Sequence, residues 1–289
     1  MSGLTAAARL SAGLLTVLTG VLLAPGAALV AAVAGKRAGT RLRHRAAVRW
    51  TRAVLRAFGV DVRITGRPGA PGTLVVANHI SWLDIPLIAA VLPGRMLAKA
   101  EIAGWPVLGP LASGGGTVYL ERDRLRALPG TVRTMATALA GGARIIAFPE
   151  GCTWCGRRQG RFRHAVFQAA LDAGAAVQPV RITYRPTAAA AFVGDDTLPA
   201  SLWRVARTGG LTAEIRLLPV IPAGSHPDRR SLARAAERAV RGSGPPAVCR
   251  GGRAQPAAVA SESANLPAES VHHRASSMSA AASSPRTPS

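Results

Sequence analysis

The sequence predicts an α/β domain: a central, mostly parallel or mixed sheet flanked by helices, preceded by an N-terminal membrane-associated helical segment. Three observations lead there. From residue 60 onward, short apolar runs alternate with stretches of helical periodicity, the pattern of strands alternating with helices in one layered domain. Ahead of that, no charged residue occurs between Leu10 and Gly35. Behind it, residues 243–289 are rich in Ser, Ala and Pro and poor in large apolar residues.

The apolar segment is long enough to cross a hydrocarbon core of about 30 Å as a helix. Pro25-Gly26 lies in its middle and is expected to kink or break it. A single spanning helix, a re-entrant hairpin bent at Pro25 and a cleaved signal peptide all fit this pattern. Lys36, Arg37, Arg41, Arg43 and Arg45 follow the segment, whereas only Arg9 precedes it. By the positive-inside rule the remainder of the chain stays in the cytoplasm, on the inner face of the cell membrane. Residues 40–58 read as an amphipathic helix, with Leu42, Ala46, Trp50, Ala53 and Phe58 at roughly helical spacing and Arg41, Arg45, Arg49, Arg52 and Arg56 elsewhere. Such a helix suits either a solvated surface or a layer of anionic headgroups, and the adjacent apolar segment favours the headgroups.

The 289 residues carry a formal charge of +22, nearly all of it arginine; Lys36 and Lys99 are the two lysines. Such a balance points to a polyanion. Nine basic residues precede Val60, and the first acidic residue is Asp61. An apolar segment inside that acid-free stretch favours an anionic membrane surface over nucleic acid. Aromatics make up only 4%, so aliphatic residues must build the core. Three cysteines are too few for a disulfide framework and fit a reduced compartment.

Predicted strands cover 60–65, 73–77, 95–98, 116–120, 143–148, 177–184 and 213–220, and predicted helices cover 82–92, 124–141, 161–174 and 228–241. The chain thus divides into an anchor with its basic helix (1–58), a catalytic domain (59–242) and a disordered tail (243–289).

The run LVVANHISWLDIPLI at 74–88 ends an apolar strand at Ala77 and places Asp84 five residues after His79. Side chains at such a strand-to-helix junction are exposed at the edge where α/β sites form. A histidine there can take a proton from an attacking hydroxyl, and a carboxylate can hold its other ring nitrogen. The same spacing also fits a helix cap and a surface histidine. Phe148-Pro149-Glu150-Gly151 closes the apolar strand ARIIAF; KAEIAGWPVLG spans 99–109, GTVYLER spans 116–122 and VQPV spans 177–180.

In this order, over roughly residues 60–220, these runs resemble the glycerolipid acyltransferase family that includes 1-acyl-glycerol-3-phosphate acyltransferase. Asn78, His79 and Asp84 match its first motif. Gly116 to Arg122 match the second, Phe148 to Gly151 the third, and Val177, Pro179 and Val180 the fourth. The resemblance implies that His79 is the general base and Asp84 orients it. The acceptor hydroxyl then attacks a thioester directly, so neither Ser81 nor Cys152 is a nucleophile. Asn78, Lys99, Gly116, Arg122, Glu150 and Gly151 are the implied substrate-binding set, with Lys99 and Arg122 on an anionic group of the acceptor. The implied donor is acyl-CoA or acyl-carrier protein, and the acceptor a lysophospholipid, foremost 1-acyl-glycerol-3-phosphate. No cofactor, metal or nucleic acid is expected. An inactive membrane lipid-binding protein is the alternative, against which stands the intact His79/Asp84 pair beside Glu150.

One departure concerns the third motif. The family often continues Thr-Arg-Ser, whereas here Gly151 is followed by Cys152-Thr153-Trp154-Cys155. Arg157, Arg158 and Arg161 lie nearby and can compensate for the missing arginine, and Trp154 suits either another lysolipid, such as lyso-ornithine lipid, or simple packing. Cys152 and Cys155 supply two ligands where a structural zinc needs four.

Overall fold

The computed structural model describes residues 3–121 and 124–242, without the side chains of residues 36, 37 and 125. The expected disordered tail therefore lies outside the described residues, as does Arg122. The chain opens with two long helices, α1 (Gly3–Val33) and α2 (Gly35–Ala57). There follow β1 (Val60–Gly66), β2 (Leu74–Ala77), α3 (Asp84–Val91), β3 (Arg95–Lys99), a 3-10 turn (Ala100–Gly104), α4 (Leu108–Gly114) and β4 (Val118–Leu120). The second half contains α5 (Leu128–Ala140), β5 (Ile145–Ala147), α6 (Ala165–Asp172), β6 (Val177–Arg185), α7 (Thr187–Ala190), α8 (Leu198–Arg207), β7 (Leu211–Leu217) and α9 (Arg229–Arg241). All seven expected strands form. The helices α4, α7 and α8 are additions that short, weakly periodic segments did not announce.

Helix α1 runs through Pro25 without interruption, contrary to the expected break. A proline forfeits one backbone hydrogen bond, which a long apolar helix tolerates. The chain reverses instead at Gly35, whose φ of 77° lies in the left-handed region that glycine enters without a Cβ clash. The two helices then run back along one another, and small residues set their approach. A Cβ on Gly13 would lie 2.4 Å from the Phe58 ring, and one on Gly20 would lie 2.2 Å from the Trp50 indole. The Trp50 indole N–H donates to the Thr16 carbonyl at 2.8 Å. Outward, α1 presents Leu15, Leu22, Leu23 and Leu29, each more than 60% exposed. It is long and apolar enough to cross a membrane.

The buried stripe of α2 differs from the expected one. Thr51, Val54, Leu55 and Phe58 face inward, while Leu42 stays exposed. Their spacing of three, four and seven residues is the helical stripe that meets a sheet. Val54, Leu55 and Phe58 join the core above β1 and α3, so the last turns of α2 belong to the packed domain.

The sheet is mixed, in the order β1-β7-β6-β2-β5-β3-β4, with β6 and β7 antiparallel and every other pair parallel. The central strand β2 is wholly buried, as expected for a strand covered on both faces. Alternation splits its side chains between two cores. Val75 and Ala77 face α2, α3 and α8; Leu74 and Val76 face α5, α6 and α9. Strands β2, β3, β4, β5 and β6 all point the same way, and their carboxyl ends form one edge, where sites of α/β sheets form.

Candidate active site

At that edge β2 ends at Ala77 and the chain enters the turn 78–83 before α3. Asp84 sits in the first turn of α3 and is fully buried. Its Oδ2 accepts from the His79 ring Nδ1 at 2.8 Å, from the Ile80 N–H at 2.6 Å and from the Ser81 N–H at 2.9 Å. Its Oδ1 accepts from the Tyr184 hydroxyl at 2.7 Å. A carboxylate buried without such partners would be costly; four donors hold this one and make the turn rigid. The Tyr184 hydroxyl is pushed well above its ordinary pKa by burial and by the Asp84 charge, so it remains a donor. Ser81 is buried and its hydroxyl oxygen accepts from the Leu83 N–H.

The His79 ring stacks on Phe148, with centroids 4.1 Å apart and planes 18° from parallel. Asp84 fixes one edge of the imidazole and Phe148 one face. The side chain keeps 19% of its surface exposed, so the far edge of the ring can be reached. With Nδ1–H donating to Asp84, Nε2 carries a lone pair. A group so placed can remove a proton from a hydroxyl brought to that edge.

Glu150 enters from the end of β5. One carboxylate oxygen accepts the His79 N–H at 2.9 Å and the other the Gly160 N–H at 3.2 Å. It therefore ties the turn 78–83 to the long loop 148–164. Gly151 adopts φ 81°, a conformation that favours glycine, and the Arg163 guanidinium lies close over it, 2.9 Å from where a Cβ would stand. The Trp154 N–H donates to the His79 carbonyl at 2.8 Å, and the Phe192 N–H to the Ile80 carbonyl at 3.0 Å. The Thr153 hydroxyl in turn donates to the Phe192 carbonyl. Three loops are thus laced around position 79. Cys152 and Cys155 are both half-buried in one of them.

Burial pushes the Glu150 carboxyl from 4.5 up to about 8, although its two backbone donors favour the charged form. The proton is then held more tightly in the folded than in the unfolded chain between those values. Stability accordingly falls as pH rises through that window. We expect a higher urea midpoint at pH 5 than at pH 8, and a flatter dependence in Glu150→Ala; an unaltered slope in the variant would remove Glu150 as its source.

Asn78 is buried, its Oδ1 accepting the Ile182 N–H at 2.8 Å and its Nδ2 donating to the Ile182 carbonyl at 3.0 Å. It continues the β2–β6 pairing one step past the strand. Lys99 is half-buried at the end of β3, on the His79 edge of the sheet. Gly116 lies before β4, at the opposite end of the strands, and is not brought to His79. There its φ of 69° turns the chain out of α4. Tyr184 and the ring of Phe148 were not singled out by sequence reasoning. Phe148 was visible in its motif, but Tyr184 carried no signal beyond lying in a predicted strand.

A family model described as Acyltransferase matches residues 60–183. The chain is 40% identical over 206 residues to a lyso-ornithine lipid O-acyltransferase of Pseudomonas aeruginosa, covering 70% of this chain and 79% of the relative. It is 36% identical over 207 residues to a 1-acyl-sn-glycerol-3-phosphate acyltransferase of Neisseria meningitidis, covering 69% and 80%. In fold it is similar to the crystal structure of PlsC, the 1-acyl-sn-glycerophosphate acyltransferase of Thermotoga maritima. That match has a TM-score of 0.62 at 22% identity and covers 81% of this chain and 95% of the other. The motif order, the mixed sheet and the relatives agree, and the chain belongs to the lysophospholipid-type acyltransferase family of membrane lipid biosynthesis.

Proposed function

We propose that this enzyme transfers a fatty acyl group from acyl-CoA or acyl-carrier protein to the free hydroxyl of a lysophospholipid, 1-acyl-glycerol-3-phosphate in the first instance, giving phosphatidic acid. The 2.8 Å bond between His79 Nδ1 and Asp84 Oδ2 carries the reading. His79 Nε2 takes the hydroxyl proton as the oxygen attacks the thioester carbonyl. The new ester bond forms, the C–S bond breaks, and the imidazolium returns its proton to the leaving thiolate. The Asp84 carboxylate stabilises the imidazolium, with Tyr184 holding its other oxygen. Asn78, Glu150 and Gly151 shape the site by positioning the turn and the loop beside it. Lys99, at the end of β3, and Arg122 act on the acceptor's anionic group.

Helix α1, with the upper part of α2, anchors the enzyme in the bilayer, and residues 59–242 form the catalytic domain on the cytoplasmic side. The apolar exterior of α1 and the arginines that follow it support this placement.

A second acceptor is favoured by one feature. Cys152-Thr153-Trp154 stands where the family often has Thr-Arg-Ser, so the arginine is missing, and the Pseudomonas aeruginosa relative is named for lyso-ornithine lipid. Purified protein with labelled acyl-CoA, offered 1-acyl-glycerol-3-phosphate and lyso-ornithine lipid separately, separates the readings. Labelled phosphatidic acid supports the first and labelled ornithine lipid the second. Label in neither, across a wider lysolipid panel and with acyl-carrier protein as donor, sinks the proposal.

A further inference from the structure

A second feature of the same sheet edge is a cleft of about 980 Å³ between the start of α5, the loop before α6, and α9. Arg161, Arg163, Arg229, Arg234, Arg238 and Arg241 line it. Arg234, Arg238 and Arg241 recur at four and three residues on α9, so one helix face brings three guanidinium groups together. Glu237 is the one carboxylate in the lining. Its oxygens are already engaged, one with Arg241 at 2.9 Å and the other with the Phe162 N–H at 2.9 Å. Among the described residues, no carboxylate forms a salt bridge with the other five arginines. Gathering like charges without partners costs electrostatic energy, which a bound polyanion recovers. Guanidinium forks match phosphate oxygens in geometry as well as charge.

The position of the cleft limits what that anion is. Helix α1 packs along α2 and against α8, and these helices cover the Val75/Ala77 face of the sheet. Helices α5, α6 and α9 cover the opposite face. The cleft therefore lies on the side away from the apolar hairpin, open to a water-soluble ligand. A lysolipid headgroup brings one phosphate or none, too little for six arginines. The cleft is also joined to the site. The Arg163 N–H donates to the Pro149 carbonyl at 2.9 Å, and the Arg163 guanidinium lies against Gly151. Arg241 donates to the Gly160 carbonyl at 3.2 Å, while the Gly160 N–H binds Glu150.

We propose that this cleft binds the 3′-phosphorylated adenosine diphosphate end of a coenzyme A thioester, and that the pantetheine arm runs from it past Arg163 and Gly151 to His79. The proposal rests on acyl-CoA as donor in the reading above. It assigns the α9 arginines a role that none of the four sequence motifs contains.

The test uses the full chain in lipid nanodiscs, with coenzyme A and 3′-dephospho-coenzyme A titrated calorimetrically and donor and acceptor kinetics measured in parallel. Arg234→Gln/Arg238→Gln should weaken coenzyme A binding and raise the acyl-CoA KM on the order of a hundredfold, about tenfold for each lost charged contact. The acceptor KM should not change. The wild type should prefer coenzyme A to the dephospho form, and the variant should lose that preference. Arg230→Gln, on the same helix but outside the cleft, should behave as wild type. An unchanged donor KM overturns the proposal. So does a rise confined to the lysolipid KM, which would make the cleft a headgroup site, or to acyl-carrier protein, which would make it a protein-docking surface. Direct titration needs no turnover, so the two readings fail separately. Coenzyme A binding lost in the variant while no lysolipid is acylated would retain the cleft and refute the function. Normal turnover with an unmoved donor KM would do the reverse.

Discussion

With His79 replaced by alanine, turnover is expected to fall roughly 10²–10⁴-fold, the contribution of a positioned general base. The backbone of position 79 remains held, its N–H by Glu150 and its carbonyl by the Trp154 N–H. The alanine thus removes the ring without releasing the turn. The ring is partly exposed and stacks on Phe148; its removal takes one donor from Asp84 but leaves the Ile80 and Ser81 N–H groups and the Tyr184 hydroxyl, so the turn should persist at some cost in stability. The KM values for donor and acceptor should change little, because the imidazole acts on the proton that moves in the transition state. The protein should still sediment with membranes. Labelled acyl transfer measured beside membrane sedimentation checks both halves, and full turnover in this variant would show that another group is the base.

Asp84→Asn is expected to lower turnover by roughly 10²–10⁴-fold as well, and to cost stability in addition. The asparagine oxygen can serve the donors from His79, Ile80 and Ser81 only if the amide nitrogen turns toward the Tyr184 hydroxyl, which must then become an acceptor. The negative charge that stabilises the imidazolium is gone in either arrangement. Each charge-assisted bond reduced to a neutral one costs about 1 kcal/mol in a fully buried site. A lower urea midpoint together with lost turnover is the expected signature. Wild-type activity in Asp84→Asn would mean that the carboxylate braces the turn and takes no part in orienting the base.

The fold class was readable because alternation of strand-length and helix-length apolar runs is a local property, and all seven strands lie where those runs do. The His79–Asp84 pair was readable for the same reason. The two residues are five apart across one turn, so chain geometry brings them together whatever the rest of the protein does. Its partners were not legible from local pattern: the third motif named Glu150 without placing it on the His79 N–H, and Tyr184 carried no signal. Glu150 reaches the His79 N–H from 71 residues away, and Tyr184 reaches Asp84 from 100 away. Both depend on β2 lying between β5 and β6, an order that local periodicity does not encode. Gly116 shows the converse: the motif groups it with the other site residues in sequence, but it precedes β4, at the end of the strands away from His79.

The hairpin divides along the same line. Composition determined that residues 10–35 form an apolar segment followed by positive charge. Tertiary packing decided that the chain continues as helix through Pro25 and turns at Gly35, with Gly13 and Gly20 receiving Phe58 and Trp50. It also decided which stripe of α2 is buried and that six separated arginines share one cleft. Local patterns are set by which residues neighbour each other along the chain. Which faces meet is set by the joint packing of all of them, and the functional geometry lies at those meetings.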